Sequence, residues 1–255
     1  MDQKRNDNFS ILRGIDLQNL LVETNRYFLE YRDTLNLPDD VTFGVEIEYE
    51  KILKSATDKF ISKNLKNWRS KSDGSLISGG EITSPVMSDD IRYWKELKKV
   101  CEHLSKRKAD TLHNAGGHIH IGARVLGEDV EAWKCFLKLY TAYENVLFRF
   151  IYGDKISGRK KLFKYAPPTA DLIYNRMSVI SKANSISDIH WNLQTNERYA
   201  ALNFCNVSFY NMECIDGNTL EFRSPNATTN EVVWQNNINT LAKMLLSSRD
   251  KVMDE

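Results

Sequence analysis

The chain has little of what usually marks a specialised chemistry. Its 255 residues include four cysteines, Cys101, Cys135, Cys205 and Cys214, with no C-x-x-C pair and no even spacing. That argues against a thiolate metal site and a disulfide framework. Cys101 and Cys135 fall on apolar helical stripes, where cysteine acts as a small hydrophobe. Only five prolines interrupt the chain, and no internal repeat or low-complexity tract is found. Charge of one sign is missing as well: 35 Lys+Arg against 34 Asp+Glu leaves a net +1, which removes bulk attraction to nucleic acid or anionic membrane. No apolar run approaches the ~18–20 residues of a membrane span. The opening MDQKRNDNFSILRG is polar and lacks the apolar core of a secretory signal. These absences lead to the expectation of a soluble cytoplasmic protein.

What remains is an ordinary globular mixture, 42% hydrophobic, 11% aromatic and 27% charged, of a length for one large or two small domains. Helical periodicity is clearest at 89–108, with Ile91, Trp94, Leu97, Val100, Cys101 and Leu104 on one stripe. It recurs at 128–152, with Trp133, Phe136, Leu137, Tyr140, Tyr143, Leu147 and Ile151, and at 231–247, with Val232, Ile238, Leu241 and Leu245. A weaker pattern predicts a helix over 15–36, ended by Pro38. Between these lie segments of period two. Val41, Phe43, Val45, Ile47 and Tyr49 oppose Gly44, Glu46, Glu48 and Glu50; Ile119 and Ile121 oppose His118 and His120; Leu220 and Phe222 oppose Thr219, Glu221 and Arg223. Shorter strands are predicted at 80–83 and around 200–210. One apolar face against helices and one polar face make this an α+β fold with an antiparallel sheet.

The polar face carries the chemistry. Instead of mixed Lys, Thr and Ser it presents Glu46, Glu48, Glu81, His118, His120, Glu221 and Arg223. Glu46 and Glu48 stand ~6.6 Å apart along a strand, a separation at which two carboxylates repel by ~2.5 kcal/mol at an effective dielectric near 20. Taken alone, an E-x-E is most often a solvated edge, and an H-x-H is either a metal or phosphate contact or an exposed polar pair. Together on one surface they call for a cation. Hard divalent ions favour carboxylate oxygens, and Mg²⁺ commonly bridges them to phosphates. A metal-bound nucleotide is therefore expected, with Arg223 offering a charge-assisted fork to a phosphate.

FGVEIEYE (43–50), DGSL (73–76) followed by GGEITSPV (79–86), GGHIHIG (116–122), RYAALNF (198–204) and TLEFRSPN (219–226) resemble, in order, the motifs of the amidoligase family. That family is similar in fold and metal site to glutamine synthetase and glutamate–cysteine ligase. The resemblance implies a catalytic domain over 41–255 behind an N-terminal helical extension over 1–40. It implies an antiparallel, partly closed sheet, glutamine synthetase-like, with helices packed on its outer face. ATP would enter one side and the acceptor the other, with Mg²⁺, or Mn²⁺, between them. Carried over by position, Glu46, Glu48, Glu81 and Glu221 resemble metal ligands, and His120, with His118, a metal or phosphate contact. Arg223 resembles the stabiliser of the transferred phosphoryl group, and Arg198 an arginine that holds substrate or nucleotide. Asp73 would shape the acyl-site loop, serve as a base, or simply make an Asp-Gly turn.

The reaction so implied joins a small-molecule or peptide carboxylate to an amine. The carboxylate attacks the γ-phosphate of ATP, and the amine then displaces phosphate from the acyl phosphate. Glu48→Gln and Arg223→Ala are expected to abolish ADP formation with little change in the unfolding midpoint. A flap over 153–168, with Lys155, Arg159, Lys160, Lys161 and Lys164, is expected to cover ATP or an acidic substrate; its plain reading is a solvated loop answering the preceding helix dipole. His103 and His190, the latter beside Trp191 in a polar linker, are read as structural or exposed, and His113 as a neighbour of the site. Trp68 and the Trp133–Tyr143 stripe are read as packing. Two other readings stand beside the ligase: a metal-dependent hydrolase or cupin-like oxygenase built on His118 and His120, and a non-catalytic nucleotide- or partner-binding module on the same fold.

Overall fold

The segment with the sharpest two-residue alternation forms the centre of the sheet. In the computed structural model, which describes residues 30–151, 162–193, 198–207 and 218–251, this strand is β1 (Phe43–Glu50). The others are β2 (Arg69–Lys71), β3 (Gly79–Thr83), β4 (Gly117–Gly122), β5 (Leu202–Asn203) and β6 (Thr219–Phe222). They form one six-stranded sheet in the order β2-β3-β1-β4-β6-β5, and every pairing is antiparallel. The sheet runs from edge strand β2 to edge strand β5 without closing on itself, so the partial closure expected above is not formed among the described residues.

Seven α-helices are described: α1 (Lys54–Asn64), α2 (Ile91–Lys106), α3 (Val130–Ile151), α4 (Leu162–Tyr165), α5 (Ala170–Ile180), α6 (Ile186–Leu193) and α7 (Glu231–Arg249). Three of them cover the apolar face of the sheet. Trp94 of α2 stacks on Phe43 with ring centroids 5.0 Å apart. Phe136 of α3 meets Phe222 edge-on. Trp234 of α7 lies over Gly117, where a Cβ would come within 2.6 Å of the indole. Glycine at 117 thus lets α7 press against the strand that carries both histidines. Val45, Ile47, Ile82, Ile119, Ile121, Leu220 and Phe222 are all buried in this core. Its helices start where local chemistry favours a start: the side chains of Asp90 and Asn230 accept the Arg92 and Val232 backbone N–H groups at the first turns of α2 and α7.

Elsewhere the structure differs from the sequence expectation. Of the helix expected over 15–36, residues 1–29 lie outside the described residues and 30–36 are not helical. Leu35 and Leu37 both enter the core, a two-residue spacing that needs extended chain. The Asp89 carboxylate accepts both their backbone N–H groups. The strand expected around 200–210 is reduced to the two residues of β5, with 208–210 outside the described residues. His190 sits in helix α6 rather than a linker. In the α3 stripe Trp133, Phe136 and Tyr140 are buried, but Tyr143 is half exposed. Trp68 packs as expected and donates Nε1–H to Glu96.

Candidate functional site

Register places the polar side chains. Glu46 of β1 pairs with His118 of β4, and Glu48 pairs with Glu81 of β3. His120 pairs with Glu221 of β6, which on its other side pairs with Asn203 of β5. Because side chains alternate faces, all of these share the face opposite the helices. They gather into two clusters whose potential ligand atoms lie within 4.8 Å of one another: Glu46, His120 and Glu221, and Glu48, Asp73 and Glu81. The expected metal ligands are therefore together, divided in two, with β1 contributing one carboxylate to each cluster.

His118 stands between the clusters. Its Nδ1 is 2.7 Å from Glu46 Oε2 and 3.4 Å from Glu221 Oε1, and its Nε2 is 3.7 Å from Glu48 Oε1. His120 Nδ1 lies 3.1 Å from Thr219 Oγ1, and its Nε2 lies 3.5 Å from Glu46 Oε1. With Nδ1 turned to Thr219, Nε2 faces the first cluster, where it donates to Glu46 when the ring is protonated and would offer a lone pair to a metal ion when it is neutral. Nε2 of each histidine is buried, and its nearest carboxylate oxygen lies no closer than 3.5 Å for His120 and 3.7 Å for His118, loose pairings for buried polar atoms. Three carboxylates in one cluster, and two with an imidazole in the other, suit a hard divalent cation such as Mg²⁺ or Mn²⁺. The residues present fit such ions.

The electrostatics follow from this crowding. Burial alone would raise the Glu46 pKa, but hydrogen bonds and charge from His118 and His120 hold it well below the usual carboxylate range. Burial would lower His120, yet Glu46 and Glu221 outweigh it and raise the imidazole above its ordinary value. Glu81 is raised, first by burial and then by the nearby Glu46 charge. Lys71, opposite it on β2, approaches Glu81 Oε1 at 3.5 Å. Arg223 is buried; its Nη1 donates to Glu221 Oε1 and its Nε to the Tyr165 carbonyl.

A cleft of about 600 Å³ opens over the first cluster, with Glu46 and His120 in its lining and Arg69, Lys71 and Arg124 among its walls. Its size is that of a small-molecule site. Asp73 makes the expected turn, its Oδ1 accepting the Ser75 backbone N–H, and its carboxylate also belongs to the second cluster, a place among ligand atoms not expected of it. Arg198 is exposed, and its carbonyl accepts from Asn203. His113 belongs to neither cluster; its ring is largely exposed and pairs with Asp110. His103 stacks on Phe60. In the expected flap, Lys155, Arg159, Lys160 and Lys161 lie outside the described residues; Lys164 lies in α4 and is exposed.

Several participants were not singled out from sequence. Asn203 donates to Glu221 at 2.7 Å; the alternation within RYAALNF, which sets Asn203 opposite Leu202 and Phe204, was the available signal. Glu50, third carboxylate of the β1 series, accepts the Ile77 N–H and the Asn114 amide, pinning the loop that carries Asp73. Arg69 and Lys71 lie on a three-residue strand too short to show a period.

Comparison with known proteins points the same way. Residues 51–245 match the family described as "putative amidoligase enzyme". That span holds Asp73, Glu81, His118, His120, Arg198, Glu221 and Arg223, and it begins immediately after β1, so Glu46 and Glu48 join the site through strand pairing rather than through the match. No curated protein and no solved structure matches the chain. With three quarters of its length covered by that match, the chain belongs to the amidoligase family.

Proposed function

We propose that the protein is an ATP-dependent carbon–nitrogen ligase that joins a carboxylate to an amine through an acyl phosphate. The observation that carries this reading is the convergence of two clusters of potential metal-ligand side chains on one sheet face, from segments as distant in sequence as Glu46 and Glu221. In this reading Glu46, His120 and Glu221 would hold one Mg²⁺ or Mn²⁺ ion, and Glu48, Asp73 and Glu81 would hold another. When bound, such ions neutralise phosphate charge. The open antiparallel sheet with its carboxylate-rich face is what supports a glutamine synthetase-like architecture.

The chain's own residues would do the rest by positioning and electrostatics. Arg69, Lys71 and Arg124 line the cleft and would face an anionic ligand there, the triphosphate in this reading. Arg223 balances charge on the phosphoryl group as the substrate carboxylate oxygen bonds to the γ-phosphorus and ADP leaves. The amine nitrogen then bonds to the acyl carbon, phosphate departs, and the nitrogen gives up its proton. Lys161, through the basic sequence of 153–168, and Arg159, through that and the resemblance, are assigned to the cover over the nucleotide.

The test incubates the protein with ATP, Mg²⁺ and pools of carboxylates and amines, following ADP, phosphate and product mass. ADP release that requires both pools, with an amide product, supports the ligase. Turnover with Zn²⁺ and no ATP would instead favour the hydrolase, and ATP binding without turnover the non-catalytic module.

A further inference from the structure

We infer that Asn203 is a positioning residue for Glu221, fixing how that carboxylate is presented to the first cluster; this rests on the reading of Glu221 as a divalent-ion ligand. Asn203 occupies edge strand β5 directly opposite Glu221 and is only 3% exposed. A buried amide must place both of its ends. Its Oδ1 accepts the Cys205 backbone N–H at 2.7 Å. A backbone N–H can only donate, so the orientation of the amide follows without ambiguity. Its NH₂ is thereby turned to Glu221 Oε2 at 2.7 Å and to the Arg198 carbonyl at 3.3 Å.

Glu221 is thus held from two sides. Asn203 caps Oε2, while Oε1 meets Arg223 Nη1 and lies 3.4 Å from His118 Nδ1. The carboxylate plane cannot turn without breaking the Asn203 bond. Without that bond the strongest remaining partner is the Arg223 guanidinium, whose fork favours bidentate capture of both oxygens. Captured so, Glu221 would turn away from Glu46 and His120. Asn203 therefore opposes Arg223 for the orientation of one side chain. It also links the turn opened by Arg198 to the cluster, since one amide group donates to both.

The experiment titrates Mn²⁺ into the full chain, without nucleotide, and follows free Mn²⁺ by EPR alongside thermal unfolding. Two variants separate the roles. Asn203→Ser keeps an oxygen able to accept the Cys205 N–H in a local turn but is too short to reach Glu221; Asn203→Ala loses both bonds. Partners of this kind typically alter metal affinity by ~10–100-fold. The expected result is a Kd for Mn²⁺ raised about 10–100-fold in Asn203→Ser, with cooperative unfolding retained, and the same rise in Asn203→Ala. Asn203→Ser binding Mn²⁺ as the wild type does would overturn the inference alone. A wild-type chain that binds no Mn²⁺ would overturn it together with the reading of the cluster. Loss of cooperative unfolding in Asn203→Ser would overturn it too, because the role would then be structural.

Discussion

Replacing Arg223 by alanine probes the site most sharply. The sequence expectation was lost activity with an unchanged unfolding midpoint, and the geometry alters its second half. Arg223 is buried, and its guanidinium donates to Glu221 and to the Tyr165 carbonyl. Two charges about 4 Å apart attract by ~4 kcal/mol at an effective dielectric near 20, and breaking a buried pair by removing one partner typically costs ~3–5 kcal/mol. Glu221 keeps Asn203 at 2.7 Å and His118 at 3.4 Å, so the cost falls to ~2–3 kcal/mol on that scale. At about 2–4 °C per kcal/mol for a domain of this size, the midpoint should drop by about 4–12 °C. Arginines that stabilise a transferred phosphoryl group contribute about 10³–10⁵ in kcat. ADP formation should therefore fall at least ~10³-fold at temperatures where the variant is fully folded. Mn²⁺ binding should persist, since Asn203 still holds Glu221 and the cation that competes for that carboxylate is gone. Coupled-enzyme detection of ADP, scanning calorimetry and Mn²⁺ titration read the three quantities. Turnover above one tenth of wild type, or an unmoved midpoint, would refute the reasoning.

Three further outcomes are expected. His120 is raised above its ordinary value, so its contribution to metal-free stability is complete below about pH 6.5 and is lost as pH rises through the raised folded-state value. A metal ion needs the neutral ring, so Mn²⁺ affinity should increase across that same window with proton release, read by calorimetry in buffers of different ionisation enthalpy; pH-independent affinity with no proton released would count against His120 as a ligand. Gly117→Ala should cost about 1–3 kcal/mol in urea unfolding, because the new methyl meets Trp234 at 2.6 Å and the Asn226 carbonyl at 2.8 Å; a neutral result would mean that α7 does not bear on β4. Glu50→Gln replaces an oxygen that accepts the Ile77 N–H or the Asn114 amide by a second donor. Amide exchange over 72–78 should accelerate roughly tenfold or more, the counterpart of ~1.4 kcal/mol of lost closure. Unchanged exchange would show that Glu50 does not hold the Asp73 loop.

How much was legible in the sequence depends on how each feature is encoded. The core of β1, β3, β4 and β6 was readable because alternation over four or more residues selects a face without knowledge of any partner. Helices α2, α3 and α7 were readable because their buried residues recur every three or four positions. In α1 the described buried residues are only Thr57 and Ile61, too few for a stripe, and β2 and β5 are too short for any period. The division of the ligands lies deeper. Glu46 and Glu48 share a face in sequence, yet whether Glu48 meets Glu81, or His120 meets Glu221, is decided by inter-strand register. Register depends on pairing across the sheet, which local pattern does not encode.

The charge balance shows why that division matters. The two clusters contain five carboxylates: Glu46, Glu48, Asp73, Glu81 and Glu221. Among the described residues, the cations paired with them are Arg223 on Glu221 and Lys71 on Glu81, with the His118 and His120 rings beside them. Doubly protonated histidines bring the sum to 5 − 4, one negative charge in excess; neutral histidines leave 5 − 2, or three. Protons alone can quiet the first cluster, since Glu46 and Glu221 both raise His120. They serve the second cluster poorly: the nearest imidazole atom to Glu48 is His118 Nε2 at 3.7 Å, too far for a good hydrogen bond, and Glu81 responds instead by a raised pKa. Two divalent ions, one to each cluster, would more than offset the three-charge excess left by neutral histidines, leaving a positive balance that would favour an anionic ligand.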